Sequence, residues 1–157
     1  MSESLTFMMG EFAAEIPTDR FYAKNHMWAE SLEGGYRFGF GAYAVRLLQD
    51  VYFLDWTVDA PVQLAPSQMI GSIESKKAES DLFAPISGTL VQFNDALMDD
   101  PSAINVDKYG QGWLFFIQTE TESDPASAGL LEPRQYLDHL ADVWEVTQRT
   151  IKGQING

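Results

Sequence analysis

Through the middle of the chain, apolar residues come in short alternating or clustered runs separated by turn residues, a strand signal rather than a helical one. Met27 to Leu32 leads into Glu33-Gly34-Gly35 and then Tyr36 to Phe40. That pattern predicts a β-hairpin, with Gly-Gly supplying the positive φ that tight hairpin turns demand. Val51 to Trp56 is a dense run of β-formers, and Met69 to Ile73, Asp81 to Ala84, Thr89 to Phe93 and Trp113 to Ile117 follow it. Strands this short at loosely regular spacing predict a sandwich or barrel-like sheet. Two short helices interrupt them. Tyr43 to Leu48 is rich in helix formers, and Asn94 is placed to cap Asp95 to Met98 by accepting orphan N–H groups. Residues 120–128 are polar and turn-rich and read as a linker. Beyond them Tyr136, Leu137, Leu140, Val143, Trp144, Thr147 and Ile151 recur at three- and four-residue spacing. They predict an amphipathic helix from Pro133 to about Lys152, with Pro133 in its first turn and Gly153 at its stop.

Composition narrows the function classes. At 157 residues the chain is long enough for one domain with a sizeable core, and 45% hydrophobic residues exclude a mainly disordered chain. Ten Lys and Arg oppose 23 Asp and Glu, a formal charge of −13, which argues against nucleic acid or an anionic membrane as a partner. It fits a protein that meets basic protein surfaces. No segment approaches the roughly 18 apolar residues of a membrane span. The first basic residue is Arg20, so neither a secretory signal nor an Arg-rich transit peptide is visible, and a cytoplasmic location is expected. The absence of cysteine excludes disulfides, thiolate metal sites and a catalytic thiol. His26 and His139, the only histidines, lack metal-ligand spacing and read as structural or surface residues. No nucleophile elbow, phosphate loop or dinucleotide fingerprint exists, and the glycines of the β run serve turns and close packing. Nothing here supports an enzyme.

One stretch stands apart, Gly71-Ser72-Ile73-Glu74-Ser75-Lys76-Lys77-Ala78-Glu79-Ser80-Asp81-Leu82-Phe83-Ala84-Pro85-Ile86-Ser87-Gly88. Two lysines ringed by carboxylates sit between β-like segments, which places them at the tip of a hairpin. Read without further context, such a tip is a solvated turn that blunts a sheet edge. Glu-Ser-x-Lys-Ala, however, resembles the modification site of lipoyl carriers, with Pro85 and Gly88 at the expected offsets. Glu74-Ser75, Ser80-Asp81 and Ala84 to Gly88 resemble the glycine-cleavage H-protein branch in particular. So do Asn94-Asp95-Ala96-Leu97, Asp100-Pro101, Ile104-Asn105 and Tyr109 to Leu114, and upstream Tyr22, His26, Trp28 and Tyr43-Ala44. Biotin carriers centre their lysine between methionines, and this chain does not. The resemblance covers about residues 21–118, which sets a lipoyl-carrier domain there between an N-terminal extension (1–20) and a linker with the C-terminal helix (119–157), and it implies a mainly β lipoyl-domain fold (a barrel-sandwich hybrid, or hammerhead) with added helices. It implies lipoic acid attached covalently to Lys77, the lysine immediately before Ala78, in a turn motif with Glu74 and Ser75; Lys76 is the rival. The implied partners are a lipoate-attaching enzyme, the glycine cleavage enzymes and dihydrolipoamide dehydrogenase. Such a protein performs no catalysis; the cofactor carries the chemistry. Reactive sulfur would thus reach a chain that has no thiol of its own.

The departures from the family select a branch. The family has Glu between His and Trp of its opening motif, in the cleft that shelters the methylamine-loaded arm; here it is Met27. A thioether cannot pair with a cationic amine as a carboxylate does. The family's Gly-Asp after the short helix is Gln49-Asp50, the run from Arg46 to Trp56 is unusually aromatic, and both termini carry apolar extensions, Phe7 to Phe12 and Val143 to Arg149. Together these resemble the lipoate-binding proteins of bacterial sulfur oxidation, which work with a heterodisulfide-reductase-like complex. That branch implies a sulfur cargo on the arm and is the preferred reading of the sequence, with a glycine-cleavage methylamine carrier as the alternative. An unmodified protein-binding relative is the third.

Overall fold

The structure, a computed structural model, describes residues 3–119 and 124–156, with side chains to Gln148. The chain opens with an antiparallel hairpin, β1 (Ser4–Met9) and β2 (Phe12–Pro17). Then come β3 (Phe21–Tyr22), β4 (Met27–Leu32), β5 (Gly35–Phe40), α1 (Ala42–Leu48), β6 (Val51–Trp56) and β7 (Val62–Leu64). β8 (Met69–Ser75), β9 (Glu79–Phe83), β10 (Gly88–Phe93), α2 (Ala96–Asp99), α3 (Ala103–Val106) and β11 (Phe115–Gln118) follow, and α4 (Pro133–Asn156) closes the chain. A six-stranded sheet in the order β3-β4-β5-β11-β10-β7 faces a three-stranded sheet in the order β6-β8-β9. The expected mainly β fold with a C-terminal helix is what forms. Phe38, Leu90, Phe115 and Ile117 of the large sheet and Leu54, Ile70, Ile73 and Leu82 of the small one belong to one buried apolar cluster.

The predicted β4–β5 hairpin forms, but its two glycines do different work. Leu32 pairs with Gly35, so the loop is Glu33-Gly34, and only Gly34 takes positive φ (86°). Gly35 is needed for close approach: a Cβ there would collide with the Ile117 carbonyl oxygen on β11. The sequence predicts that Asn94 caps a helix from Asp95, but the helix begins one residue later at Ala96, with Asp95 at its N-cap and no side-chain cap. Asn94 Oδ1 instead accepts the Ala96 N–H (3.3 Å) in the turn before it, while its Nδ2 donates to the carbonyls of Gln111 and Trp113.

A second buried cluster gathers Ala14 and Ile16 of β2, Tyr22, Trp28, Tyr43 of α1, and Tyr136 and Leu140 of α4. The N-terminal hairpin and the C-terminal helix therefore pack on the same side of the large sheet, over the opening motif. Burying each such ring is worth on the order of 2–3 kcal/mol. The polar tips are satisfied: Trp28 Nε1 donates to the Lys108 carbonyl (2.8 Å), Tyr22 Oη to Pro17 (2.6 Å) and Tyr109 Oη to Glu15 (2.7 Å).

The expected stop at Gly153 is not where α4 ends; the helix continues through it to Asn156. A glycine inside a helix costs only about 1 kcal/mol relative to alanine, too little to force termination. Ile151 of the expected apolar stripe lies outside the described side chains, as do residues 120–123 of the expected linker. Residues 125–129 form turns before Leu131 bridges Tyr22. Among the described residues no helix is long and apolar enough to cross a membrane.

Candidate functional site

The last paired residues of the β8–β9 hairpin are Glu74 and Glu79, which leaves Ser75 to Ala78 to make the turn. Ser75 is buried, at 4% exposure, and clamps the turn shut. Its Oγ donates to the Ala78 carbonyl (3.1 Å) and accepts the Ala78 N–H (3.2 Å), and its own N–H donates to the same carbonyl (2.8 Å). The two lysines between them are tied to a second segment through their backbone. The Lys76 N–H donates to the Asp50 carbonyl (2.8 Å) and the Lys77 N–H to the Leu48 carbonyl (3.3 Å). Both lysine side chains are exposed, and no ion pair among the described residues engages either ammonium. The structure thus separates the motif read from the sequence. Ser75 and half-buried Ala78 build the turn, whereas Glu74 lies on the strand opposite Phe53 and Glu79.

The platform beneath the turn is the connection between α1 and β6. Gln49 sits there at φ 60° and ψ −139°, a left-handed conformation that side chains with a Cβ rarely adopt. Asn105 of α3 braces this connection, its Oδ1 accepting the Val51 N–H (2.9 Å) and its Nδ2 donating to the Gln49 carbonyl. Sequence reading missed Leu48 and Asp50 because they contribute carbonyls, which leave no residue-type signal. Asn105 stood in a quoted motif, and only the fold shows what its amide holds.

Beside the turn opens a cleft of about 390 Å³. Its wall is mostly apolar, with Met27, Phe40, Leu48, Ile73 and Ala78 among its residues, and Asn25, His26, Ser80 and Asp81 supply the polar groups. Met27 is 1% exposed and belongs to the core as much as to the cleft, so position 27 presents a thioether where a carboxylate would bring charge. Next to it His26 takes φ 73°, with Asn25 Oδ1 accepting the Met27 N–H (3.3 Å). His26 Nδ1 lies 2.9 Å from Tyr136 Oη, and its ring lies against those of Tyr43 (4.6 Å) and His139 (5.8 Å). Burial, reinforced by His139, pushes the His26 imidazole down to about 4, so it is neutral at pH 7. The two histidines, far apart in sequence, are neighbours because α4 docks across the opening motif. No group of three or more His, Cys, Asp or Glu among the described residues could hold a metal ion.

This arrangement offers a lysine displayed on a rigid turn and a mostly apolar cleft beside it. It is a means of presentation rather than of catalysis. The sequence profile described as "Glycine cleavage H-protein" matches residues 20–143. A glycine cleavage system H protein of Mycolicibacterium vanbaalenii is 38% identical over 131 residues, covering 82% of this chain and 99% of that protein. The one from Halorhodospira halophila is 36% identical over 130 residues, 82% of this chain and 98% of its own. In three dimensions the crystal structure of a glycine cleavage system H protein from Mycobacterium marinum matches with a TM-score of 0.67 and 32% identity. That match covers 81% of this chain and 98% of the other. Sequence and fold agree across most of both partners, and the chain belongs to the glycine cleavage H-protein family, whose members are lipoyl carriers rather than enzymes and bear lipoic acid covalently on a lysine.

Proposed function

We propose that Lys77 is the lysine that bears the lipoyl group and that the chain carries cargo on that arm from one enzyme to another. One observation supports this most directly. Lys77 is exposed and has no ion-pair partner among the described residues, yet its backbone is fixed by Leu48 and by the Ser75–Ala78 clamp. A rigid root and a free amine suit amide formation there, and Ala78 leaves the adjoining apolar cleft open to an acyl chain. When bound, the lipoyl group supplies a disulfide that can be reduced, loaded and reclosed. The chain's own residues orient the root of the arm and line the shelter beside it.

For the cargo, the names of the relatives support methylamine, carried between the decarboxylase and the aminomethyltransferase of glycine cleavage. The preference for sulfur oxidation drawn from the sequence therefore takes second place. It keeps one specific observation: Met27, buried in the cleft wall, cannot pair with an ammonium. Peptide mass mapping after co-expression with a lipoate-attaching enzyme tests the site. Lys77 should be acylated, Lys77→Arg should abolish the modification, and Lys76→Arg should preserve it. Lys77 that always stays unmodified would overturn the carrier reading in favour of a protein-binding relative. A reconstituted glycine-cleavage assay then decides the cargo: efficient methylamine transfer removes the sulfur reading, and failure by a fully lipoylated chain supports it.

A further inference from the structure

The outward face of the small sheet has no role in the site described so far. β6 carries a bulge, because Val51 pairs with Ser75 and Phe53 with Glu74, leaving Tyr52 as the extra residue. A bulge re-aims side chains, and here Tyr52 is 60% and Phe53 47% exposed, while the flanking Val51 and Leu54 are buried. Two adjacent aromatic residues are thereby turned out to water within a strand.

Their neighbours are carboxylates. The register sets Phe53, Glu74 and Glu79 in one row across the three strands, and Asp55, Ser72 and Asp81 in the next row on that face. Glu74 and Glu79 are directly opposed like charges, which costs stability in an antiparallel pair, and no ion pair among the described residues offsets it. A face that spends stability on unbalanced charge and exposes aromatic rings suits a partner better than solvent. It also ends at Lys77: Glu74 lies three residues before that lysine, and Glu79 two after.

We propose that this face is the docking surface for the enzyme that acylates Lys77, and that the enzyme meets it with an apolar socket rimmed by Arg or Lys. The inference rests on the carrier reading above. Two considerations select this partner. The four carboxylates call for a cationic counterpart. And attachment takes place at Nζ itself, so its enzyme must cover the turn, whereas enzymes that handle cargo work at the far end of the arm. In the step served, neutral Nζ attacks the acyl carbon of an activated lipoyl donor, an acyl adenylate. The amide C–N bond forms, the acyl C–O bond to the phosphate breaks and AMP leaves, a proton passes from nitrogen to the enzyme, and nothing is oxidised or reduced.

The test is a kinetic comparison of the unmodified full-length chain with Tyr52→Ser, Glu79→Gln and Glu79→Lys variants. Each is acylated by a lipoate-attaching enzyme with free lipoate and ATP, and product is counted by intact mass. We expect Tyr52→Ser and Glu79→Lys to lower kcat/KM at least tenfold through KM, and Glu79→Gln to lower it less. The wild-type KM should rise with salt, and Glu79→Lys should flatten that rise. Met8→Ser, at an exposed residue on β1, should leave kcat/KM unchanged. Glu79→Lys replaces a like-charge pair with an attractive one, so it should melt no lower than wild type while being acylated more slowly, a split that a merely structural role would not produce. Variants acylated with the wild-type KM would overturn this inference alone, and so would a KM defect confined to cargo enzymes. A wild-type chain that is never acylated at Lys77 would overturn the carrier reading with it.

Discussion

Gln49→Gly should stabilise the protein. Gln49 holds φ 60° and ψ −139°, where its Cβ crowds the backbone. Strain of this kind costs about 1–3 kcal/mol. Removing the Cβ relieves it, while the greater freedom of glycine in the unfolded chain gives back about 0.4–1 kcal/mol. The half-buried side chain makes no hydrogen bond among the described residues, so little else is lost. The net gain is about 1 kcal/mol. With a urea m-value of about 2 kcal/mol/M, the midpoint of unfolding should rise by about 0.5 M. Gln49→Ala keeps the Cβ and should show no such gain, which isolates backbone conformation from side-chain loss. Because the Leu48 and Asp50 carbonyls that hold the lysine turn flank this residue, Gly should leave acylation of Lys77 intact. A Gln49→Gly protein that unfolds at the wild-type urea concentration or below it would refute the strain reasoning.

Other outcomes follow from the same geometry. Ser75→Ala leaves the Ala78 N–H without its hydroxyl partner and should cost about 1–2 kcal/mol, with faster hydrogen exchange at the Lys76 and Lys77 amides. Below pH 6.5 an unfolded histidine takes a proton that folded His26 refuses until about 4, so stability should fall by about 3 kcal/mol as pH drops through that window. His26→Gln should flatten that part of the melting-temperature profile. Gly39→Ala should destabilise by about 1–3 kcal/mol in urea unfolding, because the new Cβ would lie 2.5 Å from the ring of buried Trp28.

Much of the fold was legible from local pattern. β4, β6 and the β8–β9 hairpin lie within a residue or two of their predicted positions because alternation and turn residues act over a few neighbours. The β1–β2 hairpin was not predicted, although Leu5, Phe7 and Met9 alternate along it. A lone hairpin is at best marginal in water, and this one is held by α1 and α4, which no local signal foretells. The lysine turn was legible because its chemistry needs particular residue types at fixed spacing. Its supports were not, since carbonyls of Leu48 and Asp50 could belong to any residue.

The sequence by itself determined the strand content, the displayed lysine and the absence of any thiol beside it. Tertiary structure alone decided what surrounds that lysine. It buried Met27 in the wall of a mostly apolar cleft, brought His26 to Tyr136 and His139, and turned Tyr52 and Phe53 outward beside a row of carboxylates. Local propensity fixes the conformation of a few consecutive residues. Proximity between segments depends instead on which apolar faces bury one another, a condition the whole chain satisfies at once.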